Sequence, residues 1–279
     1  MGEAVLDKIS KIPSSSSDSP HFILVHGVSH GAWCWYKVRT LLETSGYFVT
    51  CLDLKASGIH PGHVDAIVDF QDYNQPLVDL LASLPNQQKV ILVGHSAGGI
   101  SVTEAIHKFP EKIQAAVYVG ATMLKLGFQT DQDVKDGAPD LSEYDEAYDL
   151  GFGLGVDQPP TSAIIKKDLQ RKILYQLSPL EDCALAAMLL RPFPLVVTKA
   201  THKGEENNIE MVPRIYIKTL QDKAIKEEQQ DAMTKKWPPS EIYAIDSDHS
   251  PFFSNPLVLS SLLLKVATTT INASTTTTL

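Results

Sequence analysis

Short runs of apolar residues alternate with segments of helical periodicity from residue 21 to about residue 120. The runs are His21–Val25 (HFILV), Phe48–Asp53 (FVTCLD), Lys89–Val93 (KVILV) and Ala115–Val119 (AAVYV). Between them the spacing predicts helices at about 33–45, 73–84 (despite Pro76) and 97–109, the last ended by Phe109-Pro110. Continuous apolar strands separated by helices imply a parallel sheet, buried on both faces and joined by right-handed crossovers. The rhythm changes between about 122 and 210, first to a stretch rich in Asp and Gly, DGAPDLSEYDEAYDLGFGLG, then to KKDLQRKILYQL and LEDCALAAMLL. This part reads as an inserted cap of short helices. Strand and helix alternation resumes with a strand at Pro213–Thr219, a helix at 227–236, the strand Glu241–Ile245 and a last helix at about 255–268. The α/β core is therefore expected in two pieces, 21–121 and 211–268, around a cap at 122–210. Residues 1–20 read as a flexible Ser/Pro-rich arm and 269–279 as a disordered, Thr-rich tail.

Composition narrows the classes. With 279 residues, 43% of them apolar, the chain has material for one large core. Its formal charge of −9 argues against extended contact with nucleic acid or an anionic membrane, since such polyanions call for a basic face. Three widely spaced cysteines, with no CxxC pair, fit neither a disulfide scaffold nor a structural zinc site. The first 20 residues lack the apolar core of a secretory signal, and no apolar stretch nears the roughly 20 residues of a membrane span, so a cytoplasmic location is expected. Gly2 is not a myristoylation site, because Leu6 stands where Ser or Thr is required. The Asn272-Ala273-Ser274 sequon is read as a chance match.

The chemistry concentrates at Gly94-His95-Ser96-Ala97-Gly98. A G-x-S-x-G elbow needs a strand before it and a helix after it, and both are expected here. Glycines two before and two after the serine give the tight turn its room, and the helix N-terminus favours the developing negative charge. A serine nucleophile needs a base, and the base an orienting acid, in the chain order serine, acid, histidine. His249, between a strand and the last helix, is the expected base. His202 lies in a Lys/Glu-rich segment and reads as a solvated surface residue. Asp222, in the loop after the strand 213–219, is the expected acid. Asp231 lies within a helix, and Asp246 and Asp248 stand too near His249 to reach behind its ring. The oxyanion hole is expected from the backbone N–H groups of Ala97 and of Val28, in the first loop (HGVSHG). His26 reads as a residue ordering that loop, His95 as packing under the elbow and Asp53 as capping a turn. Gly151–Gly155 (GFGLG) lacks the strand context and spacing of a dinucleotide loop, and no cofactor or metal is called for.

HFILVHGVSHGAWCWYKVRTLLE, VTCLDLKASGI, VILVGHSAGG and DHSPFF together resemble the plant methylesterase family of α/β-hydrolases, over about residues 21–265. That group includes salicylate, jasmonate and indole-acetate methylesterases, polyneuridine aldehyde esterase and hydroxynitrile lyases. The resemblance implies an α/β-hydrolase fold, ester hydrolysis without a cofactor, a small-molecule ester as partner, and homodimers in some members. It places the triad on Ser96, Asp222 and His249 and the oxyanion amides on Val28 and Ala97. The lyases carry Thr at Gly27, Lys at Ser250 and Glu at His95, which disfavours that branch. DGAPDLSEYDEAYDLGFGLG and PPTSAIIK look most like the branch acting on methyl indole-3-acetate. An alkaloid methyl esterase with coupled decarboxylation is the alternative, and a hormone-binding receptor a further one. Met123, Phe128, Phe152, Met188 and Leu189 are the cap residues expected to close an apolar pocket.

Overall fold

Each of the four apolar runs and both later expected strands form β-strands, and the six join in one parallel sheet. The strands are β1 (His21–Val25), β2 (Phe48–Leu52), β3 (Val90–His95), β4 (Ile113–Val119), β8 (Arg214–Thr219) and β9 (Glu241–Ile245), in the order β2-β1-β3-β4-β8-β9. All five pairings are parallel. The computed structural model describes residues 20–202 and 209–276, with side chains described to residue 270. The expected N-terminal arm lies outside the described residues except for Pro20.

Side-chain alternation along the strands builds two cores. Phe22, Leu24, Ile91, Val93, Val117 and Ile217 face one side, against α1 (Tyr36–Thr44) and the last helix. Ile23, Val25, Leu92, Tyr118 and Tyr216 face the other, against α2 (Phe70–Ser83) and α3 (Gly98–Lys108). Burial on both faces is why β1 and β3 show no polar alternation in sequence. The edge strands β2 and β9 are partly exposed.

The region between β4 and β8 departs from the all-helical expectation. Alongside α4 (Asp131–Gly137), α5 (Lys167–Leu174) and α6 (Leu180–Leu189) it holds a three-stranded antiparallel sheet of β5 (Tyr148–Gly151), β6 (Ser162–Ile165) and β7 (Phe193–Pro194). Strands of two to four residues are too short to show a period, and β7 finds its partner some 30 residues away, so neither pattern nor proximity announced them. After β8 come α7 (Glu227–Lys236), β9, the single turn α8 (Pro251–Ser254) and α9 (Pro256–Thr276). Helix α9 corrects the expected tail: it continues through 269–276, while 277–279 lie outside the described residues. Leu259, Leu263, Val266 and Ala267 anchor it on the sheet, and the Thr268, Thr269 and Thr270 hydroxyls bond back to carbonyls of the preceding turn. It is this apolar anchor, which composition does not display, that carries the helix into the threonine run.

Candidate active site

The C-terminal ends of β1, β3, β8 and β9 lie along one edge of the sheet, where an open α/β sheet places its ligand. The register sets Val25 beside Gly94 and Thr219 beside Ile245, so four successive loops converge. Ser96 stands on the loop from β3 to α3 with φ +53°, a left-handed conformation that serine adopts only under constraint. Two close approaches impose it. A Cβ on Gly94 would meet Val102 Cγ2 at 2.6 Å, and one on Gly98 would meet the His26 and Val25 carbonyl oxygens at 2.7 and 2.8 Å. The turn is closed by amides of Gly99 and Thr122, both donating to the Ser96 carbonyl at 3.0 Å.

His249 and Asp222 meet behind this turn. His249 Nδ1 lies 2.8 Å from Asp222 Oδ2, both residues being buried. A carboxylate accepts, so Nδ1 carries the proton and Nε2 the lone pair. The remaining acceptor sites of Asp222 are filled: Thr219 Oγ1 donates to Oδ2 at 2.8 Å, and the Ala224 and Ile225 amides donate to Oδ1 at 2.8 and 2.9 Å. The rival acids are elsewhere. Asp231 is exposed and paired with Lys218, Asp246 is exposed, and Asp248 turns away from the ring to accept the Leu177 amide and the Ser178 hydroxyl. His95 packs under the elbow as expected, and its Nε2–H donates to the His249 carbonyl at 2.6 Å, a tie the sequence did not announce. Burial holds its pKa far below the ordinary histidine value.

The first loop is built by contacts distant in sequence. His26 accepts the Leu54 amide on Nε2 at 3.1 Å and donates from Nδ1 to Gly27 O at 2.7 Å, the ordering role expected of it. Asp53 accepts the Ala32 and Ile59 amides at 2.7 and 3.1 Å. Ser29 has φ +65°, and its carbonyl accepts the Arg191 amide at 3.0 Å. The Arg191 guanidinium also donates to the carbonyls of Gly58 and His60 at 3.0 and 2.9 Å. His30 donates to Val28 O and accepts from the Tyr175 hydroxyl. Arg191 and Tyr175 were missed because nothing local in their sequence points to a loop more than a hundred residues earlier.

Val28, Ser96 and His249 line one cavity with Ser29 and His30, and Ala97 directly follows the serine. The other walls are Pro139, Tyr148, Ile164, Ile165, Leu174, Leu190, Phe193 and Ala224. None of the five expected cap residues is among them. Met123 is buried in the core under α2 and α3, Phe128 packs at its edge, and Phe152, Met188 and Leu189 are exposed. The apolar lining comes instead from β5, β6, β7 and the ends of α5 and α6. His202 is not the solvated residue its charged neighbours predict: it is buried, ring to ring with Phe70 and His107, and burial lowers its pKa to about 3. It lies away from the cavity that holds Ser96. Among the described residues no group of three or more His, Cys, Asp or Glu is placed to hold a metal ion, and no helix is long and apolar enough to cross a membrane.

The chain compares closely with known proteins. Residues 22–261 match the model of the alpha/beta hydrolase family. Methylesterase 17 of Arabidopsis thaliana is 58% identical over 256 residues, covering 90% of this chain and 93% of that protein. Pheophorbidase of Raphanus sativus is 44% identical over 250 residues, covering 88% and 93%. The crystal structure of the methylesterase protein MES16 from Arabidopsis superposes with a TM-score of 0.81 at 41% identity, over 89% of this chain and 99% of that one. The chain therefore belongs to the alpha/beta hydrolase family and, within it, to the plant methylesterase group of carboxylic ester hydrolases.

Proposed function

We propose that this protein hydrolyses the methyl ester of a small, largely apolar acid, with methyl indole-3-acetate as the best-matched substrate. Ser96 is the nucleophile, His249 the general base, Asp222 the acid that orients it, and the amides of Val28 and Ala97 form the oxyanion hole. The observation that carries this reading is the buried 2.8 Å bond from His249 to Asp222 behind a serine held at φ +53° in the same cavity wall. Ser96 Oγ attacks the ester carbonyl while His249 Nε2 takes its proton. The two amides hold the resulting oxyanion, each worth about 3–4 kcal/mol on the scale of such donors. Methoxide leaves with the proton from His249 as methanol. Water, deprotonated by the same ring, then releases the acid and restores Ser96.

The lining favours an uncharged ester, since it includes no Lys, Arg, Asp or Glu. A carboxylate product in such a pocket is poorly solvated, so the acid leaves once formed. The space itself measures ≈30 Å³, room for a water or two, so an aromatic ester requires the pocket to open. The lyase branch is disfavoured further at Gly27. A Cβ there would stand 2.8 Å from Ser96 Cβ, and the lyases carry a threonine at that place.

The test measures methanol and free-acid release from methyl indole-3-acetate, methyl jasmonate, methyl salicylate and an alkaloid methyl ester. Wild type is run beside Ser96→Ala. Turnover of the indole ester, lost in the variant, is the expected result. Turnover of the alkaloid ester alone moves the protein to specialised metabolism. Silence on all four, or activity that survives Ser96→Ala, overturns the proposal.

A further inference from the structure

Four consecutive residues between α5 and α6 touch three of the loops that carry the proposed catalytic groups, those of Val28, Asp222 and His249. The Tyr175 hydroxyl lies 2.7 Å from His30 Nε2, and His30 Nδ1 lies 3.0 Å from the Val28 carbonyl. A carbonyl only accepts, so Nδ1 bears the proton, Nε2 bears the lone pair, and the tyrosine donates. Burial keeps the partners in those states: the pKa of His30 is lowered to about 3, and that of Tyr175 is pushed well above its ordinary value. The Gln176 side-chain amide donates to the carbonyl of Gln221, the residue before Asp222. The Leu177 amide and the Ser178 hydroxyl both donate to Asp248 Oδ2, at 2.9 and 2.8 Å, in the residue before His249. Asp248 is wholly buried, and its other oxygen accepts the Ser250 amide at 2.9 Å.

We infer that residues 175–178 form a strap that sets the oxyanion loop against the acid and base loops. In it Tyr175 and Ser178 are positioning residues, acting through His30 and Asp248. The inference rests on the assignment of Ser96, His249 and Val28 given above. Three features favour positioning over plain cap packing. The contacts are directional hydrogen bonds, they reach three different loops from four adjacent residues, and each lands within two positions of a proposed catalytic group. The carboxylate of Asp248 gives the strap its hold. A wholly buried carboxyl group depends on the donors that reach it, and two of the three given by the described residues come from the strap. The oxyanion donor of Val28 and the base at His249 thus share one rigid reference. A displacement of about 1 Å between such groups costs on the order of a hundredfold in rate.

The test compares Tyr175→Phe and Ser178→Ala with wild type by two readouts. One is the rate at which a fluorophosphonate labels the serine, which requires the nucleophile, base and oxyanion hole but no knowledge of the ester. The other is the kcat and KM on the best ester of the panel. Each variant is expected to label about tenfold to a hundredfold more slowly and to lose kcat in step, with KM within twofold of wild type. Thermal melting of both variants reports whether they fold. Labelling and kcat at wild-type rates in either folded variant overturn the strap, as does a loss seen only in KM. Should Tyr175→Phe fail to fold, Ser178→Ala decides alone. A wild-type protein that resists labelling refutes instead the esterase reading on which the strap rests.

Discussion

Replacing Asp222 by Asn isolates the tautomer from the fold. The carboxylate accepts from four donors: His249 Nδ1 and Thr219 Oγ1 on one oxygen, and the amides of Ala224 and Ile225 on the other. An asparagine can keep its carbonyl oxygen on the two amides, and doing so leaves no buried N–H unpaired. Its NH2 then faces the histidine and Thr219. The threonine hydroxyl can rotate to accept, but a protonated Nδ1 cannot. The ring must move its proton to Nε2, where it blocks acceptance of the Ser96 proton. The same change in a serine protease triad costs about ten-thousandfold in kcat with the geometry retained, and a loss of a thousandfold to ten-thousandfold is expected here. Asp222→Ala is the contrast. It strands the two buried amides, each at about 1–3 kcal/mol, and is expected to lower the urea midpoint as well as the rate. The assay pairs acid release from the best ester with urea unfolding for both variants. Asp222→Asn retaining more than a tenth of wild-type kcat would refute the role given to Asp222.

Two further perturbations test the packing. Gly98→Ala puts a Cβ 2.7 Å from the His26 carbonyl oxygen and 2.8 Å from that of Val25, backbone atoms where β1 runs into the first loop. The expected cost is about 1–3 kcal/mol with loss of most activity, measured by urea unfolding and ester turnover, and an unchanged midpoint would contradict the close approach. His30 and His202 are each held by burial at a pKa of about 3. Below pH 6.5 the unfolded chain takes up protons at both sites that the native protein refuses, so stability is complete above 6.5 and falls as pH drops toward 3. At pH 5 each site costs about 2 kcal/mol. His202→Phe should hold stability at pH 7.5 and remove the share of His202, about 2 kcal/mol at pH 5; parallel urea midpoints against pH in the two proteins would sink the argument.

The sequence carried the sheet because β1, β3 and β4 are buried on both faces and so appear as unbroken apolar runs. It carried the elbow because steric need at Gly94 and Gly98 writes itself into composition. Asp222 and His249 were legible from chain order and from their places after β8 and β9. What stayed hidden depends on contacts far apart in the chain. The strands β5 to β7 are too short to show a period, and the cavity walls they supply could not be told from ordinary apolar residues. His202 misled because its neighbours in sequence are charged while its neighbours in space are Phe70 and His107. Tyr175 and Asp248 matter through partners that no local pattern names.

The proposed chemistry creates a transient cation at His249, and its surroundings determine what that cation meets. His26, His30 and His95 stand within the same buried shell, and burial lowers the pKa of each. The positive charge of His249 opposes protonation of both His30 and His95. Four imidazoles packed this closely cannot all be charged, and the hydrogen bonds show how the charge is apportioned. His26, His30 and His95 each spend an N–H on a backbone carbonyl, of Gly27, Val28 and His249 respectively. Those bonds fix the orientation of each ring, and burial keeps the three neutral. His249 alone of the four points its N–H at a carboxylate. In the proposed reaction the proton from Ser96 is therefore expected at one ring, the ring backed by Asp222. The three neutral histidines fix the loops around the site without competing for that proton, and replacing any of them by a cation would work against the charge that the reaction must form.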